Sequence, residues 1–302
     1  MKLGIACVYY FPPGQEWILD LQLSRIARHT SQTDYKIYAA AERLGHDLKS
    51  RLAAEDRVQI VKLQAFQGVA NKEHAFYLDR LIAHAFADGC THVCTLDADS
   101  FPITDDWTEA LATRMSKTGA RFAAVHRIEN LDAYLPHPSG YLMTREFFYA
   151  QSPMLYPGSG RYIPEMENFL RATGQRPDTG IGYGWRLWQT GEQWIPLLRS
   201  NRVNFHYLIA GVYGDTFFHL GATSRAPIFF RDAKRPLLRV SDQLKKLPVV
   251  WRLGRYLSGY HAQRVGRLAH EIRDVLRADP DGLIDVLRGI QAPDPAWALV
   301  EG

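Results

Sequence analysis

The chain has 302 residues, 46% of them hydrophobic and 23% charged, with a formal net charge of +4. That balance is ordinary for a soluble globular chain able to bury a core, either as one large α/β domain with an appendage or as two modest domains. No apolar run approaches the roughly 18–20 residues that a membrane-spanning helix needs.

The N-terminal "MKLGIACVYYF" carries one lysine and lacks a small-residue cleavage site, so it is expected to be a first strand rather than a signal peptide. Pro12, Pro13 and Gly14 stop that strand. Residues 16–29 are predicted to form an amphipathic helix, with Trp17, Leu21 and Ser24 in one series and Ile18, Leu21 and Arg25 beside it. A strand over 35–41, a helix over 46–55 and an alternating strand over 58–66 follow. "NKEHAFYLDRLIAHAFADG" (71–89) is predicted as a long helix closed by Gly89, and "THVCTL" (91–96) as the next strand. A helix over 105–119, with aspartates in its first turn and Gly119 as its stop, leads to a strand over 121–128. Such alternation implies parallel strands with helices on both faces, and ligands bind such sheets outside the carboxyl ends of the strands.

After residue 130 the texture changes. Aromatics, Gly and Pro crowd "YLPHPSGYLMTREFFY" and "DTGIGYGWRLWQTGEQW" with little clean periodicity. Residues 231–277 hold twelve Arg and Lys against four Asp and Glu, so the modest net charge conceals a basic C-terminal segment. The three cysteines, Cys7, Cys90 and Cys94, have no Cys-x-x-Cys spacing, and buried free thiols in a cytoplasmic setting are expected.

"THVCTLDADSFP" (91–102) raises the functional question. Two aspartates, Asp97 and Asp99, close an apolar strand, where buried carboxylates are costly unless something compensates their charge. Asp-x-Asp turns both side chains to one face, which suits a hard divalent cation completed by phosphate oxygens. The motif alone is common by chance; its place after an apolar strand and a long helix gives it weight. Asn71 and Lys72 open that helix, where backbone donors and a cation suit phosphate, although a solvated first turn explains them equally.

Residues 67–102 resemble the central segment of nucleotide-sugar glycosyltransferases of the GT-A fold, particularly family 2. There a Gly-rich turn opens a helix with an Ala- and Gly-rich end, and an apolar strand runs into Asp-x-Asp. The resemblance is good over 1–130 and looser to about 225. It implies an α/β, Rossmann-like GT-A fold with a mixed, mostly parallel sheet flanked by helices. A catalytic domain over 1–230 is then expected, with a nucleotide-sugar-binding half (1–130), an acceptor half (131–230) and a basic helical extension over 231–302. The implied activity moves a sugar from a nucleoside diphosphate sugar to a glycan, lipid-linked or other hydroxyl acceptor, using Mn2+ or Mg2+.

Further residues carry over from the same resemblance. "RLWQTGEQW" places Arg186 and Gly191 on the family's Arg-Leu-x-x-x-Gly helix end, with Arg186 toward the donor. The family's general base is an aspartate about six residues before that arginine; the nearest acid here is Asp178, eight residues before it, with Glu165 and Glu167 as reserves. In "FFHLGATSR" His219 is implied as a third metal ligand, a core histidine being the bland alternative. Tyr9 and Tyr10, at the first strand's end, would lie beside the nucleotide base, with core packing as the equal alternative. Trp185, Trp188 and Trp194 are candidates for stacking on a sugar or for the core, and His137 with the strand around Gly140 is assigned to the acceptor site.

Three rivals are weaker. A sugar-phosphate nucleotidyltransferase should carry a Gly-rich, Arg-containing loop after the first strand, where this chain has "FPPGQEW". Against a metal nuclease, and against nucleic acid as a partner, the basic charge lies far from the aspartates in sequence. A non-catalytic, transferase-like binder of membrane or partner should have a broken metal set, whereas Asp97, Asp99 and His219 are all present. The stretch 235–277 is either a helical appendage on the catalytic domain or a peripheral contact with the anionic inner membrane face.

Overall fold

The structure, a computed structural model, describes residues 1–66, 70–130, 134–156, 164–175, 177–203, 209–221 and 266–291. The predicted alternation is present through residue 126. β1 (Lys2–Val8), α1 (Trp17–His29), β2 (Asp34–Ala40), α2 (His46–Ala53), β3 (Val58–Ile60), α3 (Ala70–Ala87), β4 (His92–Asp97), α4 (Trp107–Thr118) and β6 (Phe122–His126) each fall within about two residues of the expected spans, except β1, which ends three residues before Phe11, and β3. Only three residues of the predicted 58–66 strand pair. Beyond Val61 the amides of Leu63 and Phe66 go to the Glu42 carboxylate and the Tyr77 hydroxyl instead of a neighbouring strand.

Seven strands form one sheet in the order β3-β2-β1-β4-β7-β6-β8, with β7 at Pro136–Thr144 and β8 at Ile195–Leu198. All neighbours are parallel except β7, which runs antiparallel to both β4 and β6. This is the mostly parallel, Rossmann-like α/β sheet expected from the sequence. The chain builds β1 to β3 outward and then returns to place β4 on the other side of β1, so the switch point lies between β1 and β4. Val8 and Asp97 are register partners there. A small second sheet, β5-β10-β9, uses β5 (Ser100–Pro102), β10 (Phe217–Gly221) and β9 (Ile209–Tyr213).

Each sheet face has its own core. On one side Leu78, Leu81, Ile82 and Phe86 of α3 pack with Phe122, Phe147 and Tyr183. On the other Ile26 of α1 and Trp107, Leu111 and Met115 of α4 pack on Leu3, Ile5, Cys94 and Phe217. The buried face of α1 is Ile18, Leu19, Gln22, Arg25, Ile26 and His29, so the series through Trp17 and Ser24 lies at its margin. A buried glutamine on this face has a task at the site, described below. All three cysteines are buried and free.

The region without sequence periodicity is held by close backbone approaches. Thr144 caps α5 (Arg145–Gln151) by accepting from the Phe147 amide. α7 (Ile181–Thr190) begins at Gly180, whose φ of 102° is open only to glycine at low cost. A Cβ on Gly180 would stand 2.2 Å from the Pro136 carbonyl oxygen, and one on Gly184 would stand 1.9 Å from that of Tyr134. The glycines of "DTGIGYGW" therefore let α7 press against the start of β7. Asp79 on α3 accepts from the Leu155 amide at 3.0 Å, and the Leu155 carbonyl accepts from Gly180 at 2.8 Å. Burial pushes the Asp79 carboxyl up to about 7 against that amide's pull downward.

The chain divides into two compact units: Met1–Asn201 with Gly211–His219, and Arg202–Ala210 with Leu220–Gly302. In the second, residues 266–278 are helical, with Leu268, Ala269, Ile272 and Leu276 buried and Arg267, Asp274 and Arg277 exposed. Asp279 caps the next helix, Pro280–Leu287, by accepting from Gly282 at 2.9 Å. The basic stretch 235–277 lies outside the described residues up to 265. Among the described residues, no helix is long and apolar enough to cross a membrane.

Candidate metal and donor site

The two aspartates follow the carboxyl end of β4 at the switch point, and the next residues turn into β5. β5 pairs with β10 in antiparallel register, Ser100 opposite His219 and Phe101 opposite Phe218. That register brings His219 back from far along the chain to the motif. Its Nε2 stands 3.4 Å from Asp97 Oδ2 and 3.4 Å from Asp99 Oδ1. Stacking of Phe101 on Phe218 and an edge contact of Trp107 with Phe217 fix the strand beneath it.

Two more histidines close on the same carboxylate. His74, in the first turns of α3, places Nε2 3.5 Å from Asp97 Oδ1. His137, second residue of β7, has a ring nitrogen that with Asp97 and His219 forms a group whose ligand atoms lie within 4.8 Å of one another. A β-bulge puts it there: pairing with β6 slips between Ala124 and Val125, so that Tyr141 opposes the first and His137 the second. Gly140 in the bulge admits Phe217, since a Cβ would stand 2.7 Å from that ring. Ser139 holds the His137 Nδ1 edge, its hydroxyl at 2.8 Å and its amide at 3.3 Å.

The Asp-x-Asp turn is itself clamped. Gln22, fully buried on α1, donates to the carbonyls of Asp97 and Ser100, both at 2.7 Å. The Cys7 thiol reaches Gln22 Oε1 at 3.8 Å; burial first, then the two aspartates, push its pKa up and keep it a neutral donor. Replacing Gln22 by leucine strands chiefly the Ser100 carbonyl, because that of Asp97 keeps the Ser100 hydroxyl at 3.1 Å. A loss of about 1–3 kcal/mol is expected for the unsatisfied group. Urea unfolding checks it; an unshifted midpoint would show that the turn holds itself.

The other residues singled out in the sequence fall in different places. Tyr9 is 1% exposed and packs with Cys7, Leu19 and Ala39, so its ring is core and cannot stack on a base; Tyr10, 56% exposed, can. Lys72 extends over the Tyr156 ring at 5.7 Å. Asn71 opens α3, but its side chain lies outside the described residues. Asp178 precedes α7 by three residues and its Oδ1 accepts from the Thr179 amide at 2.8 Å, while Glu165 and Glu167 are exposed on α6 (Pro164–Thr173). Arg186 lies over Trp185 at 4.7 Å and donates to Gln189 at 3.0 Å. Trp185 is buried, Trp188 is exposed, and Trp194 packs on Phe122 and His126.

Sequence reasoning did not assign Gln22 or His74, and it gave His137 to the acceptor. Only His137 left a trace: the Pro and Gly residues around it in "PHPSG" mark an irregular strand.

No family model and no curated protein matches this chain. Among solved structures it is similar to a mannosyltransferase from Pyrobaculum calidifontis in complex with GDP-Man and Mn2+, at 12% identity over 98% of this chain and 82% of that one, TM-score 0.42. Mouse xyloside xylosyltransferase 1 aligns at 13% identity over 65% of this chain and 85% of that one, TM-score 0.42. A cytidylyltransferase from Leptospira borgpetersenii aligns at 12% identity over 82% and 95%, TM-score 0.41. The fold is a mostly parallel, Rossmann-like α/β sheet, with the Asp-x-Asp turn at its switch point. What the site does chemically follows from its own residues.

Proposed function

We propose that this protein is a metal-dependent glycosyltransferase that moves a sugar, of hexosyl type, from a nucleoside diphosphate sugar to a hydroxyl of a glycan or lipid-linked acceptor. The observation that carries it is His219 Nε2 at 3.4 Å from a carboxylate oxygen of each motif aspartate. Two ligands each about 2.1 Å from one ion stand roughly 3–3.5 Å apart, whereas a good N–H···O bond is shorter, about 2.7–3.2 Å. The spacing thus fits an ion better than a closed hydrogen bond.

Asp97, Asp99 and His219 would hold a divalent cation. Such an ion, when bound, offsets the charge that develops on a departing diphosphate. The remaining work falls to protein groups. Lys72 at the start of α3 offers a cation where the helix N-terminus favours phosphate, and Tyr10 offers an exposed ring face to the base. Asp178 is the group proposed to take the proton from the acceptor hydroxyl. The Thr179 amide donates to its Oδ1, and Gly180 holds this segment against Pro136, next to His137. Direct displacement with inversion follows from that role.

A panel of nucleotide sugars, incubated with and without Mn2+, tests the proposal through slow leakage of the donor to water. Ion-dependent release of nucleoside diphosphate from one donor is expected. Release of pyrophosphate from a nucleoside triphosphate and a sugar phosphate would instead make the protein a nucleotidyltransferase.

A further inference from the structure

The Asp-x-Asp motif is a set of hard oxygen ligands, yet imidazole nitrogens of His74 and His219 stand 3.4–3.5 Å from its carboxylate oxygens. Asp97, His137 and His219 offer one carboxylate oxygen and two imidazole nitrogens within 4.8 Å of one another. The two rings lie 5.4 Å apart, centre to centre, and 30° from coplanar. Both histidines are buried, one on the bulged strand β7 and one on β10, so the pair is set by the fold rather than by surface rotamers.

We infer that His137 is a fourth protein group of the cation site. With His219 it makes a two-imidazole, carboxylate site that takes Zn2+, Co2+ or Mn2+ in preference to Mg2+. This deepens the transferase proposal by naming the class of ion. Imidazole suits the later first-row ions, whereas Mg2+ demands near-ideal oxygen octahedra and gives up its waters reluctantly. The surroundings of His137 suit a ligand. Its Nδ1 edge is held by Ser139. The Ser139 amide donates to Nδ1, while its hydroxyl can donate to Nδ1 or accept from Nδ1–H; coordination through Nε2 uses the second arrangement and gives up the 3.3 Å amide contact. His74, on the other oxygen of Asp97, holds that carboxylate from the α3 side and acts as a positioning residue.

The test is calorimetric titration of the full chain with Zn2+, Co2+, Mn2+ and Mg2+ salts alone, without nucleotide. Zn2+ and Co2+ are expected to bind at least roughly a hundredfold tighter than Mg2+, in line with the ligand preferences above. His137→Ala and His137→Gln should each weaken Co2+ binding by about tenfold or more, as loss of a group that holds a metal does. Pulsed electron paramagnetic resonance of the Mn2+-loaded native protein provides a readout free of variants, and it should show nitrogen coupling from two imidazoles. Equal affinity for Mg2+ and Co2+, no Zn2+ or Co2+ binding, one nitrogen coupling, or unchanged affinity in both variants would each overturn the assignment. Tight, His137-dependent Co2+ binding without nucleotide-sugar turnover would keep it and sink the transferase proposal. Turnover supported equally by Mg2+ and Co2+, with the His137 variants unaffected, would do the reverse.

Discussion

Replacing Asp97 by alanine is expected to lower ion-dependent turnover of the nucleotide sugar by at least about 10²–10³-fold, the scale for removing one preorganised electrostatic group from a transition state. Asp97 stands where three histidines converge: His219 on one oxygen, His74 on the other, His137 within the same cluster. Its carbonyl is clamped by Gln22 and the Ser100 hydroxyl through the backbone, which the substitution leaves in place. Turnover should therefore fall while circular dichroism and the melting temperature change little. Asp99→Ala removes a carboxylate that meets His219 at 3.4 Å and lies outside the Asp97, His137 and His219 group, and a smaller loss is expected from it. Initial rates with saturating Mn2+ check both. Near-native rates in Asp97→Ala would remove the cluster from the chemistry.

The largest stability effect is expected at Gly180. Alanine there would have to hold a φ near 102° and set its Cβ 2.2 Å from the Pro136 carbonyl oxygen and 2.6 Å from the Tyr141 hydroxyl. That hydroxyl already donates to the Pro136 carbonyl at 2.6 Å, so neither group has room to move. The backbone conformation costs about 1–3 kcal/mol and the overpacking about as much again. For a unit of this size the two together lower Tm by roughly 5–15 °C. Gly119→Ala is the control: its φ of 71° is also positive, but a Cβ there meets nothing within 4 Å. Equal melting of the two variants would show that α7 does not rely on this contact. Because Pro136 adjoins His137, Gly180→Ala should also weaken Co2+ binding.

What was legible in the sequence follows from the range of the interactions. The strands and helices to residue 126 repeat with clear periods, and the apolar run ending at Asp97 announced its own switch-point position. His219 entered only through the family resemblance of "FFHLGATSR", not through any local period. β7 was not, because "PHPSGYLMT" alternates neither as a strand nor as a helix; its antiparallel place between β4 and β6 comes from a bulge and from Gly140 yielding to Phe217. His74 and Gln22 carry no local mark. Each lies on a helix and matters through a partner 23 and 75 residues away, at Asp97. Tyr9 had two readings, beside the base or in the core; the second is the one found, because its ring is buried with Cys7, Leu19 and Ala39.

The central claim is that the cluster at the carboxyl edge holds a divalent ion against a nucleoside diphosphate. Calorimetric titration of the native chain with UDP, GDP, ADP, CDP and dTDP, in Mn2+ and again in chelator, tests it most directly. At least one diphosphate is expected to bind in Mn2+, to lose most of its affinity in chelator, and to lose it equally in Asp97→Ala whether or not Mn2+ is present. Binding of the same strength in Mn2+, in chelator and in the variant would contradict the account.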